Sequence, residues 1–99
     1  MEKKDNEKWY AVYVMSASDY ESMDDIYADK SEDHPYFVEL TLVKSTNKEQ
    51  AGWQGAWKLE DRYKCGKLVP IRTRIATQKD FDLWKNGQKI FEYEEYKKI

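Results

Sequence analysis

Trp9 to Met15 is apolar on both faces of any strand it forms. Trp9, Ala11, Tyr13 and Met15 fall on one side, Tyr10, Val12 and Val14 on the other. The run is rich in aromatic and β-branched residues, which suits a strand. It is seven residues long, far short of the roughly 20 that a membrane-spanning helix needs. Such a strand belongs in the centre of a sheet covered on both sides, or it exposes a functional aromatic face.

The rest of the chain can supply cover. Of 99 residues, 40% are hydrophobic and 15% aromatic, with eight Tyr and four Trp. That content argues against disorder and fits one domain. Residues 1–7 read as a solvated tail, and 8–99 as a single α+β domain.

Tyr36 to Lys44 alternates as a second strand, with Tyr36, Val38, Leu40 and Leu42 on one face. Between the two strands, Ser18 and Glu21 fit a capping box that opens a helix to about Asp29. Residues 30–35 are polar, end in Pro35 and read as a loop. Ser45 to Gly55 reads as a polar connection containing Trp53. Trp57, Leu59, Asp61, Tyr63 and Cys65 then alternate with charged residues. Val69, Ile71, Thr73 and Ile75 resume the alternation after Gly66. This reads as a hairpin turning at Cys65–Lys67, with an odd-length loop that keeps one face apolar. Pro70 cannot donate to a ladder and needs a non-bonded position or a bulge. Thr77 caps a second helix that Asn86 and Gly87 stop. For residues 89–99 a strand with Phe91 inward competes with a helix carrying Ile90, Tyr93, Tyr96 and Ile99.

The expected architecture is α+β. It has a single, largely antiparallel sheet of four to five strands and two helices on one face, in the order β-α-β-β-β-α-β. If the first hairpin strand is a mere extension, the order reduces to the ferredoxin-like split β-α-β pattern.

The net charge of −2 argues against a strongly cationic nucleic-acid binder. It conceals an asymmetry: residues 1–50 hold six Lys and Arg against twelve Asp and Glu, and residues 51–99 hold eleven against seven. Two oppositely charged surfaces follow. The acidic one comprises Tyr20, Asp24, Asp25, Tyr27, Asp29, Glu32 and Asp33, and suits contact with a basic protein surface. The basic one is the hairpin face of Lys58, Arg62, Lys64, Arg72 and Arg74. Beside aromatic rings it suits single-stranded nucleic acid.

No catalytic or metal-binding pattern emerges. His34 is the only histidine and lies in an acidic loop without a neighbouring Ser or Cys. Asp29, Ser31 and Asp33 mimic the opening of a calcium loop. However, His34 stands where that loop needs Gly, and Leu40 where it needs Glu. Gly52 and Gly55 lack the following Lys-Ser/Thr of a phosphate loop. Cys65 is the only cysteine, so no internal disulfide forms and the cytoplasm is the expected compartment. The expected function is that of a small, non-enzymatic module without cofactor or membrane attachment. It would act through protein–protein contact, as an inhibitor or adaptor of the kind that phages and mobile elements encode. Single-stranded nucleic-acid binding through the basic face is the alternative.

Overall fold

The computed structural model describes residues 7–26, 36–64 and 66–99, with the backbone alone for 22–26. The elements are β1 (Lys8–Ser16), α1 (Ala17–Ile26), β2 (Phe37–Ser45), α2 (Lys48–Tyr63), β3 (Leu68–Ile75), α3 (Gln78–Lys85), β4 (Ile90–Glu92) and α4 (Tyr93–Tyr96). The four strands form one sheet in the order β3-β1-β2-β4, and every neighbouring pair is antiparallel. The α+β class and the single antiparallel sheet are as the sequence implies, with four strands.

The doubly apolar strand β1 lies inside the sheet, and both of its faces are covered. Tyr10, Val12 and Val14 pack with Val43 and Leu68 beneath Ala51, Ala56 and Leu59 of α2. Ala11, Tyr13 and Met15 pack with Val38, Leu40, Leu42, Phe91 and Tyr96. Phe81, Leu83 and Trp84 of α3 close that second layer. Helices therefore cover both faces rather than one.

The expected hairpin does not form. Residues 57–63 lie in α2, and Gly66, at φ +93°, makes a helix-to-strand connection. Ala51, Gly52, Gly55, Ala56 and Leu59 are buried at helical spacing. That stripe starts six residues before Trp57, inside the segment read as a loop because of its glycines. The alternation of 57–63 is real, but a helix uses only Leu59 of it for the core. Asn47 caps α2, its side-chain oxygen accepting from Gln50 N at 3.0 Å. Lys64 closes the helix in the left-handed conformation, donating to Glu60 O.

The resulting path contains one split β-α-β unit. β2 and β3 both run antiparallel to β1, which lies between them, and α2 links them. The ferredoxin-like pattern needs two such units with both helices on one face. Here α3 returns on the opposite face, so the resemblance stops at the first unit.

Local signals elsewhere hold with small shifts. Ser16, not Ser18, supplies the cap of α1, its Oγ accepting from Asp19 N at 3.2 Å. Thr77 and Asp80 form a complete capping box on α3. Gly87, at φ +84°, ends that helix, with Gln88 N donating to Leu83 O and Gly87 N to Trp84 O. The C-terminal segment resolves into a short strand followed by a turn of helix, so both competing readings are used in succession.

Gly55 sets how closely α2 approaches the sheet. A Cβ there would lie 2.8 Å from Val12 Cγ1 and 3.1 Å from Thr41 Cγ2. Gly55→Ala gains helix propensity of about 1 kcal/mol but forces the layers apart, at about 1–3 kcal/mol. A net loss of stability is expected in urea unfolding, whereas the exposed Gln54→Ala leaves the midpoint unchanged.

Candidate interaction surfaces

One buried polar cluster interrupts the apolar layer on the α3 side. Asp80 is fully buried at the start of α3. Arg74 of β3 donates to both of its oxygens, Nη1 to Oδ2 at 2.7 Å and Nη2 to Oδ1 at 3.0 Å. Tyr13 of β1 donates its hydroxyl to Oδ1 at 3.0 Å, and Thr77 donates N and Oγ1 to Oδ2 at 2.8 and 3.0 Å. Burial alone would push this carboxyl up. The bonds from Thr77, Arg74 and Tyr13 outweigh it and leave Asp80 below the ordinary carboxylate value. Tyr13 is pushed up to about 12 by burial and by the adjacent carboxylate. With every oxygen matched by donors, the cluster ties β1, β3 and α3 together. Its chemistry is structural, because the carboxylate is closed off from any ligand.

Two open surfaces stand out among the described residues. The first is a groove of about 150 Å³ lined by Val14, Val38, Leu68, Phe37 and Ile90, with Glu39 and Tyr63 at its rim. Tyr63 donates its hydroxyl to Glu39 Oε2 at 2.9 Å. Burial raises the Glu39 carboxyl, opposed by that bond and by Arg62 and Lys89.

The second surface is the outer flank of α2. Trp53 and Trp57 stand one helical turn apart with ring centroids 6.4 Å apart, 41% and 58% exposed. Their position follows from the helix phase. Gly52 faces Thr73 and Pro70 of β3, while Gly55 faces Val12 and Thr41 further into the sheet. Glu60 lies on the other flank from Gly55 and accepts from Leu68 N of β3 at 2.8 Å. By helix phase Trp53 lies next to Glu60 on the flank nearest β3, and Trp57, one turn on, is turned further from the sheet.

The residues expected to form the basic face are not brought together. Lys58, Arg62 and Lys64 are exposed on or at the end of α2. Arg72 and Arg74 lie on β3 and point to the other side of the sheet. There Arg74 holds Asp80, and the Arg72 guanidinium stacks 4.5 Å from the Tyr96 ring centroid. The hairpin that was to align them is absent. Of the acidic set, Tyr20 is exposed on α1. Asp24 and Asp25 lie in α1 with only their backbone described. Tyr27, Asp29, Glu32 and Asp33, like His34 and Cys65, fall outside the described residues. The tryptophan pair was missed because it was split between a supposed loop and a supposed strand. The i, i+4 spacing of Trp53 and Trp57 was the available signal.

Among the described residues, no helix is long and apolar enough to cross a membrane, and no group of His, Cys, Asp and Glu is placed to hold a metal ion. Comparison with family models, curated proteins and solved structures returns no match.

Asp80→Ala should cost about 3 kcal/mol, because it strands Arg74 and removes the cap of α3. Equilibrium unfolding in urea measures it. The cluster also sets a pH window. The depressed Asp80 contributes stability above the ordinary carboxylate range, and this is lost as pH falls through its lowered value. The raised Tyr13 contributes stability below pH 10 that is lost as pH climbs from 10 to about 12. Thermal melts across that alkaline range should show a shallower decline for Tyr13→Phe than for the unaltered protein.

Proposed function

We propose that this chain is a non-enzymatic binding module, an inhibitor or adaptor, that acts by contact with another protein through the outer flank of α2. The observation that carries the reading is the pair Trp53 and Trp57, side by side and half in water. Tryptophan is costly to leave exposed and is enriched among residues that dominate binding energy. Ile75 adds a further half-exposed apolar side chain on the adjoining edge strand.

The charge pattern of α2 supports a protein partner over a nucleic acid. Lys48, Lys58, Arg62 and Lys64 are interleaved with Glu49, Glu60 and Asp61, so the helix offers no one-signed track for phosphates. Exposed indole rings do suit base stacking, which makes single-stranded nucleic acid the competing outcome.

A photoreactive phenylalanine at position 54, beside both tryptophans, tests this in the source cells, with position 79 on α3 as control. The expected result is a discrete protein adduct at position 54 that disappears with Trp53→Ala and Trp57→Ala. A nuclease-sensitive adduct would replace the protein reading with the nucleic-acid one. Equal labelling at both positions would refute both.

A further inference from the structure

The flank of α2 that carries Trp53 lies nearest a strand edge whose hydrogen-bonding groups can be assigned. Ala76 N donates to Trp9 O and Ala17 N to Lys67 O. Together with the β1–β3 register, these bonds fix which β3 residues turn their backbone toward β1. Arg72 and Arg74 do so before the irregularity, and Val69 beyond it. Leu68, Pro70, Thr73 and Ile75 therefore turn their backbone groups outward. The Glu60 carboxylate bound to Leu68 N confirms the parity independently.

That edge is blocked along half its length and open along the other half. Glu60 occupies the Leu68 N–H. Pro70 has none. Ile71 is the extra residue at the register shift. Thr73 and Ile75 retain outward N–H and C=O groups with no partner among the described residues. On the α2 side of them are the Ile75 side chain and, by helix phase, Trp53. Below them, on the other side of the pleat, lies Arg72. Its guanidinium is held over Tyr96 and Tyr13, at 4.5 and 5.8 Å from the ring centroids. No carboxylate among the described residues pairs with it, in contrast to Arg74.

Resting on the protein-contact reading above, we propose that the Thr73–Ile75 edge of β3 takes up an extended peptide segment in which apolar and acidic residues alternate. Added strands recognise an edge by main-chain bonds and gain specificity from alternate side chains. Here the residues opposite Thr73 and Ile75 lie on the same side of the sheet as Trp53 and the Ile75 side chain and are apolar. Those flanking Arg72 lie across from a cation that no carboxylate among the described residues neutralises, and are acidic. A second copy of this chain is disfavoured by the same geometry. Antiparallel self-pairing about Thr73 sets Arg72 opposite Arg74, and matching Thr73 to Ile75 sets Arg74 opposite Arg74.

The probe is an eight-residue, end-capped peptide of alternating Val and Glu, with a Val/Lys peptide as control, titrated into ¹⁵N-labelled protein. The expected result is saturable shifts of the Thr73 and Ile75 amides and of the Trp53 indole N–H, with binding about tenfold weaker for the Val/Lys peptide. Arg72→Gln should abolish the difference between the peptides. Thr73→Pro, which removes an outward N–H as Pro70 already does, should abolish the shifts. Both variants are read only on spectra that retain native dispersion, and the two-peptide comparison on unaltered protein stands without them. Equal binding of both peptides, or unperturbed Thr73 and Ile75 amides, overturns the proposal. Indole shifts without amide shifts reject the strand edge alone and spare the α2 surface. Loss of the position-54 protein adduct rejects the underlying protein-contact reading instead.

Discussion

Burying both faces of Trp9–Met15 requires an apolar layer on each side of the sheet, and the chain builds the two layers by different means. On one side a single helix suffices, because Gly52 and Gly55 let α2 settle directly onto β3, β1 and β2. The side chains it presents are small, so most of the buried volume there belongs to the strands: Tyr10, Val12, Val14 and Val43. On the other side no long helix is available. Large residues from α3, β4 and α4 converge instead, with Phe91, Tyr96, Phe81 and Trp84 doing by bulk what α2 does by proximity. An interior β1 also explains why the order is β3-β1-β2-β4. A strand that is apolar on both faces cannot sit at an edge, so the chain must place neighbours on both of its sides.

The buried Asp80 fixes what apolar packing leaves loose. Bulky residues could slide along a flat sheet at little cost, whereas a carboxylate with five donors has one position in which all are met. Tyr13 comes from the central strand, Arg74 from the edge strand and Thr77 from the helix cap, so the cluster sets the register of three elements at once. A lone buried charge would be severely destabilising. This one is tolerated because a guanidinium grips it in two-pronged fashion and its own helix cap completes the shell.

The same residues show which parts of the structure the amino-acid pattern discloses. β1, β2 and the cap and stop of α3 are legible because each rests on a local rule: period-two alternation, a Thr at the helix start, a Gly past its end. Pro70 is legible too, and it occupies a non-bonded position next to the register shift. α2 is not, because its core stripe is made of Ala and Gly, which carry little hydrophobic signal, while its exposed flank carries the tryptophans. Hydrophobic periodicity then points to the wrong face and to the wrong period. Arg72 and Arg74 look like solvated sheet charges in the sequence. Their roles depend on Asp80 and Tyr96, which folding brings from far along the chain.

That reassignment changes what the charge asymmetry between the two halves means. Of the five cations expected on one surface, Arg74 is consumed inside the fold and three stay with α2 among its carboxylates. Arg72 has no carboxylate partner among the described residues and is oriented by aromatic rings. A cation held this way has already lost the rotamer freedom that a loose surface arginine would lose on binding. It also lies along the one stretch of β3 that Glu60, Pro70 and the register shift leave unprotected. Edge strands are normally blunted over their whole length, because free backbone groups invite unwanted pairing. Among the described residues the Glu60 bond, Pro70 and the register shift all fall within Leu68–Ile71, so the protection of this edge is concentrated at one end, and at Thr73–Ile75 the outward backbone groups are flanked by side chains alone.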